Sequence, residues 1–331
     1  MTAHGQVSVV IPAYNAATTI EAAVESMLTQ SLPPHEIIVV DDGSTDGTAD
    51  VLTSFGDSIR IVRQDNRGLA EARTTGNAAT TGDYVAWLDA DDRALPERLE
   101  VQIAVMSAEP SVILVSSDFN AFGETVAPEE RFARRYYGAI SEERSLERIF
   151  GPPRNVELRG RPWRYYAGEA RASIILGSFV HPPSVMIRRA GIERVGALNG
   201  DFPTNEDWLY FVELARHGAV AFIDEPLLEY RLSPDQMSQD GRTVSLNNLR
   251  SLEFVLAQEP EFAASHRRLV RQALGNRHAD IAATLAEEEP LKALDHLTKA
   301  FGYGGLSLRR LKILAKIALP NAALRALRGE R

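Results

Sequence analysis

Cysteine is absent from this 331-residue chain, which excludes disulfides, thiolate zinc sites and cysteine nucleophiles. No run approaches the ~20 apolar residues needed to cross a bilayer, and the best late candidate is broken by Lys312 and Lys316. The amino terminus, Met1-Thr2-Ala3-His4-Gly5-Gln6, has neither the basic region nor the long apolar core of a signal peptide, so export is not expected and a cytoplasmic location is. A glycine fingerprint is missing as well: Pro12-Ala13-Tyr14-Asn15 follows the first apolar run where a dinucleotide fold would carry Gly-x-Gly-x-x-Gly. That argues against NAD and FAD, and the missing phosphate loop argues against a kinase or NTPase. The seven histidines show no metal-ligand spacing, and no Ser/His/Asp constellation is legible.

What is present is an ordinary globular composition, 44% hydrophobic and 24% charged, with a net charge of −9 that disfavours nucleic acid as a partner. The charge is uneven. Residues 307–331 carry +6, so the rest of the chain carries −15. Within that acidic body, carboxylates gather in order at Asp41-Asp42-Gly43-Ser44, Asp46, Asp89-Ala90-Asp91-Asp92 and Glu206-Asp207. The first and third groups directly follow Ile37-Ile38-Val39-Val40 and Tyr84-Val85-Ala86-Trp87-Leu88, so two strands of one sheet would deliver them to one edge, where open α/β sheets hold ligands. Carboxylates without basic neighbours in sequence repel one another, and a hard divalent cation or a shared proton would relieve them.

Strands are predicted at Val7–Ile11, Glu36–Val40, Ile59–Val62, Tyr84–Leu88 and Val112–Ser116. Helices are predicted near Thr48–Thr53, Leu69–Ala79 and Pro96–Met106, and a first helix is expected to start at a Thr18-x-x-Glu21 capping box. This alternation implies a doubly wound, mostly parallel sheet. Residues 117–170 read as irregular, a candidate mobile substrate loop with one helix at Glu142–Phe150. A strand at Ser184–Ile187, a helix at Glu206–His217 and a strand at Ala219–Ile223 follow, and nearly everything after 243 reads as helical. The expected division is 1–116, 117–240 and a helical extension over 241–331.

Each acidic group also has a plain structural reading. Asp41 to Thr48 is rich in turn and cap residues, Asp89 to Asp92 could cap a helix, and Glu206-Asp207 could simply favour a helix dipole. In extended geometry, however, Asp89 and Asp91 share a side, one toward a ribose and one toward a metal. Asn66-Arg67-Gly68 and Arg73 could reach a phosphate, although an Arg on a short helix is commonly solvated. His181 before Pro182-Pro183 reads as structural or as part of an acceptor loop. Trp208 and Tyr210 read as core, with the alternative that an aromatic face carries a sugar ring.

Taken in order, Val7 to Asn15, Ile37 to Thr48, Asn66-Arg67-Gly68-Leu69-Ala70-Glu71-Ala72-Arg73, Leu88-Asp89-Ala90-Asp91-Asp92 and Asn205-Glu206-Asp207-Trp208 resemble the family 2 glycosyltransferases of GT-A fold over roughly residues 6–231. The resemblance implies an inverting enzyme that moves a sugar from a nucleoside-diphosphate donor, UDP favoured and dTDP next, to a saccharide or lipid-linked hydroxyl in polysaccharide or glycan synthesis. It implies Asp207 as catalytic base and Asp91 as ligand to Mg²⁺ or Mn²⁺. Pro12, Tyr14, Asn15, Asp41, Asp42, Arg67, Arg73 and Asp89 would surround the donor, with Glu206, His181 and Trp208 toward the acceptor. Two departures stand out: Ala72-Arg73-Thr74 replaces the family's Ala-Arg-Asn, and Tyr230-Arg231-Leu232-Ser233 replaces a frequent Tyr-Arg-x-His.

The rival readings are a non-catalytic nucleotide-sugar-binding protein and a sugar-nucleotide pyrophosphorylase; the latter would want a Gly-rich, basic loop after the first strand. In the tail, Arg309, Lys312 and Lys316 form a helical stripe beside an apolar arc of Leu308, Leu311, Leu314, Ala315 and Ala318. That is the pattern of a helix lying in a membrane interface or of one packed on its neighbours, with Pro320 expected to end it.

Overall fold

The computed structural model describes residues 5–123, 127–137, 140, 145–233 and 240–318. The chain divides into two compact units, Met1–Ser233 and Pro234–Arg331. In the first, β1 (Val7–Ala13), β2 (Glu36–Asp41), β3 (Arg60–Arg63) and β4 (Tyr84–Trp87) are mutually parallel, joined through α1 (Ile20–Leu28), α2 (Thr48–Thr53) and α3 (Leu69–Ala79). All seven residues of β1 are buried, as a strand covered on both faces requires. Helix α3 lies close on this sheet because Gly76 has no side chain: a Cβ there would sit 2.3 Å from Val10 Cγ1. The Thr18-x-x-Glu21 box does not form. Thr19 flanks α1 instead, and its backbone N–H bonds back to Ala16.

The sheet continues through β5 (Arg93–Ala94), α4 (Arg98–Ala108), β6 (Val112–Phe122), α5 (Ala133–Tyr136), α6 (Leu146–Phe150), β7 (Arg154–Leu158) and β8 (Arg161–Gly168). Then come α7 (Arg171–Leu176), β9 (Met186–Arg188), α8 (Arg189–Val195), α9 (Glu206–Leu214) and β10 (Ala219–Arg231). The strand order is β3-β2-β1-β4-β9-β6-β10-β8-β7, with β5 paired to β10. Strands β4 and β6 are both antiparallel to β9, and β6 is parallel to β10. The long strands β1, β4, β6 and β10 therefore point the same way, with one short reversed strand between them.

Two expectations need correction. The segment read as irregular contains an antiparallel hairpin, β7 and β8, that extends the sheet edge through β10. Strand β6 also runs through the expected 116/117 division, so the halves on either side share one sheet. Of the expected Glu142–Phe150 helix, 146–150 is helical and 142–144 lies outside the described residues.

The second unit is helical: α10 (Gly241–Gln258), α11 (Pro260–Ser265), α12 (Arg267–Leu285), α13 (Pro290–Gly304) and α14 (Leu308–Ala318). Asp240 caps α10 by accepting from the backbone N–H groups of Arg242 and Thr243. Alanines 279, 282 and 300 with Leu297 and Ile313 make a small-residue core among α12, α13 and α14. On α14, Ile313 is buried and Leu314 and Ile317 pack against this core, while Arg309 pairs with Asp280 and Lys316 with Glu287 at 3.1 Å. Of the expected apolar arc, Leu314 therefore packs within the bundle beside Ile313 and Ile317, and two members of the basic stripe are paired, Arg309 with α12 and Lys316 with the turn that follows it. Pro320 lies outside the described residues.

Candidate active site

The parallel strands end at one edge, and the loops leaving β1 and β2 are knitted together there. Asn15 takes the left-handed conformation at φ 50°, which a short amide side chain tolerates. Its backbone N–H donates to Ser44 Oγ at 3.0 Å, and its side-chain oxygen accepts from the Thr45 N–H at 2.9 Å. Asp46 accepts from the N–H groups of Ala17 and Thr48. Pro12 is buried below, and Tyr14 is half exposed above.

Asp41, 1% exposed, accepts from the Ser44 N–H at 2.9 Å and lies 3.4 Å from Arg63 Nε. Asp42 accepts from the Gln64 amide at 2.7 Å and from the backbone N–H groups of Arg67 and Gly68 at 2.9 and 2.8 Å. Its carboxylate thus holds the Asn66-Arg67-Gly68 loop in place. Gly43, at φ 76°, lets that loop approach: a Cβ would meet Asn66 N at 2.7 Å. The Arg67 side chain stays exposed and pairs loosely with Glu71.

The second acidic group is built around a cation that the sequence suggested either for a donor phosphate or as a solvated side chain. Arg73, on the face of α3 that also buries Ala70, Gly76 and Asn77, is 1% exposed. It donates to Asp89 Oδ1 at 2.8 Å and to Glu206 Oε1 at 3.2 Å. It thereby joins the loop after β4 to the first turn of α9, the latter 133 residues from Arg73 in sequence. Its guanidinium lies 5.1 Å over the Trp87 ring, whose indole N–H is fixed by Asn77 Oδ1. Burial alone would weaken its charge, but Asp89, Glu206 and Asp207 offset this and raise its pKa.

Asp92, which the sequence read only as a member of the acidic run or a helix cap, and Arg98, which it did not single out, lie beneath this group. Asp92 accepts from the backbone N–H of Arg231 at 2.8 Å, while Arg231 Nε donates to the Asp91 carbonyl at 3.1 Å. The Tyr230-Arg231 segment is therefore strapped to the Asp-Ala-Asp loop. Arg98 donates to the carbonyls of Trp87 and Val185, and burial lowers its pKa to about 9 despite Asp92 and Asp89. Burial, then the charges of Asp91 and Asp89, push Asp92 well above the usual carboxylate range. The signal for Arg98 was its place on the apolar face of α4.

Glu206 and Asp207 open α9. Burial raises both carboxyls, and Glu206 next to Asp207 adds to it; the Asp207 carboxyl is pushed up to about 7 with Arg73 opposing the shift. The arrangement places five carboxylates (Asp89, Asp91, Asp92, Glu206, Asp207) around three guanidiniums (Arg73, Arg98, Arg231), an excess of two negative charges when all are ionised. Such a cluster relieves itself by binding protons or a cation.

The residues expected at the acceptor separate. Trp208 is buried with its indole N–H on the Ile174 carbonyl at 2.7 Å, so it is a core strut and presents no open face for a sugar. His181 is also buried, stacked on Phe119 at 4.0 Å, and burial with the nearby Arg73 and Arg98 drives its pKa down to about 3. It is a neutral imidazole.

An open α/β sheet carrying a nest of carboxylates at the carboxyl ends of its strands defines the broad class of ligand-binding α/β proteins. Comparison with known proteins narrows it. The profile described as Glycosyl transferase family 2 matches residues 8–196, and the chain belongs to that family. It is 30% identical over 240 residues to TuaG of Bacillus subtilis, a glycosyltransferase assigned by name to teichuronic acid biosynthesis, across 71% of this chain and 82% of that one. A glycosyltransferase of Rickettsia felis without an assigned activity is 27% identical over 237 residues; the match spans 70% of this chain but only 35% of that protein's length. Among solved structures, Staphylococcus aureus TarS in complex with UDP-GlcNAc has a TM-score of 0.54 at 16% identity, covering 94% of this chain and 91% of that one. The mannosyltransferase PcManGT of Pyrobaculum calidifontis, with GDP-Man and Mn²⁺, has a TM-score of 0.52 at 19% identity, covering 100% and 89%. These likenesses show the GT-A fold.

Proposed function

We propose that the protein is an inverting glycosyltransferase that moves one sugar from a nucleoside-diphosphate sugar to a hydroxyl of a saccharide or lipid-linked acceptor, in the synthesis of a cell-surface polysaccharide. The observation that carries this reading is the Arg73 bridge, which gathers Asp89, Glu206 and the half-buried Asp207 at one sheet edge. The name of TuaG supports the polysaccharide setting. The TarS complex favours a UDP-sugar, with dTDP-sugars next.

In this reading the donor's base and ribose lie over Pro12, Tyr14, Asn15 and Asp41, with Asp42 and Arg67 shaping the adjoining loop and Asp89 reaching the ribose. Asp207 accepts the proton of the acceptor hydroxyl as its oxygen attacks the anomeric carbon. The bond from that carbon to the diphosphate breaks, the electron pair leaves with the phosphate, and attack from the opposite face inverts the centre. Base assistance of this kind contributes roughly 10²–10⁴-fold. A carboxyl held near 7 suits the task, because a base whose pKa lies near the working pH combines availability with driving force. Sequence reasoning did not require such a shift.

The donor set fits a hard divalent cation. No group of three or more protein ligands exists among the described residues, and Mg²⁺ and Mn²⁺ sites built on one or two carboxylates are completed by substrate phosphates. Asp91, beside Asp89, would hold the ion, which as a Lewis acid would neutralise charge on the departing diphosphate. The excess of negative charge at this edge is itself a reason why a diphosphate needs a cation to bind.

The second unit gives the reading of location: peripheral attachment to the cytoplasmic face of a membrane through Leu306, Leu308 and Leu311, which are exposed, beside Lys312. No helix among the described residues is long and apolar enough to cross a membrane.

The deciding experiment incubates purified protein with UDP- and dTDP-sugars and measures free nucleotide, with Mg²⁺ or Mn²⁺ and with a chelator. Release from one donor that stops under chelation is expected. Tight donor binding with no release or transfer from any donor would instead support the non-catalytic binding protein.

A further inference from the structure

One wall near the acidic edge is made of aromatic side chains that the chemistry above leaves without a task. Phe119 on β6 stacks on His181 at 4.0 Å, and Tyr230 at the end of β10 meets His181 edge-on at 4.6 Å. Tyr136 and Tyr137, at the end of α5, close the group: Tyr136 lies 5.7 Å from both His181 and Tyr230 and 4.8 Å from Tyr137, at steep angles to all three.

Core packing accounts for the rings of Phe119, His181 and Tyr230, which are buried. It does not account for Tyr136, a large ring left 37% exposed on top of the group, nor for the number of hydroxyls brought together. The Tyr137 hydroxyl is shared with His181 Nδ1 at 2.9 Å, which fixes its direction. His181 Nε2 is buried and has no hydrogen-bond partner among the described residues, so the imidazole's one polar contact is with that tyrosine. Burial, and the proximity of Tyr136, Asp207, Tyr230 and Asp89, hold the Tyr137 hydroxyl firmly protonated. The wall therefore stands within electrostatic reach of the proposed base and keeps its hydroxyl hydrogens.

We propose that the wall formed by Tyr136 and Tyr137 is the acceptor subsite, holding a neutral pyranose ring with its apolar face on Tyr136 and a ring hydroxyl on the Tyr137 hydroxyl. His181 is a positioning residue that acts through Tyr137. A partly exposed aromatic ring beside oriented hydroxyls matches a sugar, which has a face of C–H groups and a rim of hydroxyls. The charges select against an acidic sugar. Asp207 and Asp89 are the charges that act on Tyr137, and the arginines of α5 are already committed, Arg134 to Asp224 and Arg135 to Glu129. This inference rests on the glycosyltransferase reading and adds the chemical class of the acceptor to it.

The test uses the full chain with the donor that passes the release screen, and p-nitrophenyl glycosides of neutral hexoses beside the matching glucuronides as acceptors. Donor affinity and slow loss of the donor to water are measured in parallel, since neither involves the acceptor wall. Tyr136→Ala is expected to raise the neutral-acceptor KM at least tenfold with donor affinity and donor hydrolysis within twofold of the unsubstituted protein. Tyr136→Phe should restore the KM, and Tyr137→Phe should raise it severalfold. An unchanged KM in Tyr136→Ala, a parallel loss of donor hydrolysis, or a preference for glucuronides would each overturn the proposal. A protein that neither hydrolyses nor transfers any donor fails earlier, at the glycosyltransferase reading.

Discussion

Two groups of carboxylates at the same sheet edge are treated in opposite ways. Asp41 and Asp42 leave β2 into a loop whose N–H groups turn toward them, and Asp42 alone accepts three hydrogen bonds. Asp89 and Glu206 share one guanidinium, Asp207 accepts the backbone N–H of Trp208 beside them, and burial raises Glu206 and Asp207 all the same. A carboxylate saturated by hydrogen-bond donors is an anchor. One that is crowded by its own kind under a single buried cation is ready to take a proton or a metal. The same residue type after the same kind of strand becomes scaffold in one place and chemistry in the other.

The sharpest way to break this contrast is Asp207→Asn, which keeps shape and removes the base. Transfer should fall by about 10²–10⁴ while calorimetric donor affinity stays nearly constant; a mutant keeping more than about a tenth of the turnover would remove Asp207 from the role. The same variant reports on stability. The folded-state pKa of Asp207 is raised, so the native protein binds more protons than the unfolded chain between about 4 and 7 and loses stability as pH climbs through that window. The amide has no such cost, and at pH 8 the variant should melt no lower than the parent.

Arg73→Met strips the shared cation and leaves Glu206 buried and Asp89 half-buried without it. A loss of about 3–5 kcal/mol in denaturant unfolding is expected, since breaking a buried pair strands the remaining charge. A variant with unchanged midpoint would mean that the bridge holds nothing together. At the anchoring group the effect should be smaller: Asp42→Asn gives up part of three hydrogen bonds, on the order of 1–3 kcal/mol, and should loosen the 64–68 loop and raise donor KM. Its response to Mn²⁺ should be that of the parent, and a shifted Mn²⁺ requirement would mean the two groups are not separate.

Much of this was legible and some was not, for physical reasons. Strands β1, β2 and β4 announce themselves as apolar runs because both faces are covered, and the acidic residues that end β2 and follow β4 are fixed in space once those strands are parallel. The burial of Arg73 was not legible while its charge was weighed ahead of its position. Ala70, Gly76 and Asn77, at three and four residues' distance, mark the inward face of α3, and Arg73 shares it. Asp89 and Glu206 are partners that only tertiary structure supplies. The β7–β8 hairpin escaped because its strands are Arg-rich, carry Pro162 and lie at the sheet edge, although Trp163 and Tyr165 alternate with exposed arginines as a half-buried strand should. The reversed strand β9 is three residues long and is defined by neighbours far away in sequence.

The smallest effect belongs to the tail. With Arg309 and Lys316 already paired, Lys312 is the basic side chain of α14 left to meet an anionic surface among the described residues, at roughly 1 kcal/mol per charge near the bilayer. Flotation with anionic liposomes should be partial for the full chain and lower for a chain ending at Gly305; equal flotation of the two would leave α14 as helix packing alone.

The account's central claim is that burial, with the neighbouring Glu206 charge added and Arg73 opposing, holds the reaction's base near neutrality, and the pH dependence of kcat/KM for the donor tests it most directly. Because the base works only when ionised and its folded-state value is lifted to about 7, kcat/KM should climb with pH between 5 and 7 and level off above, with an apparent pKa near 7 that belongs to the cluster as a whole. A profile flat from pH 5 to 8 would show an ordinary, unstressed carboxylate and would contradict the claim.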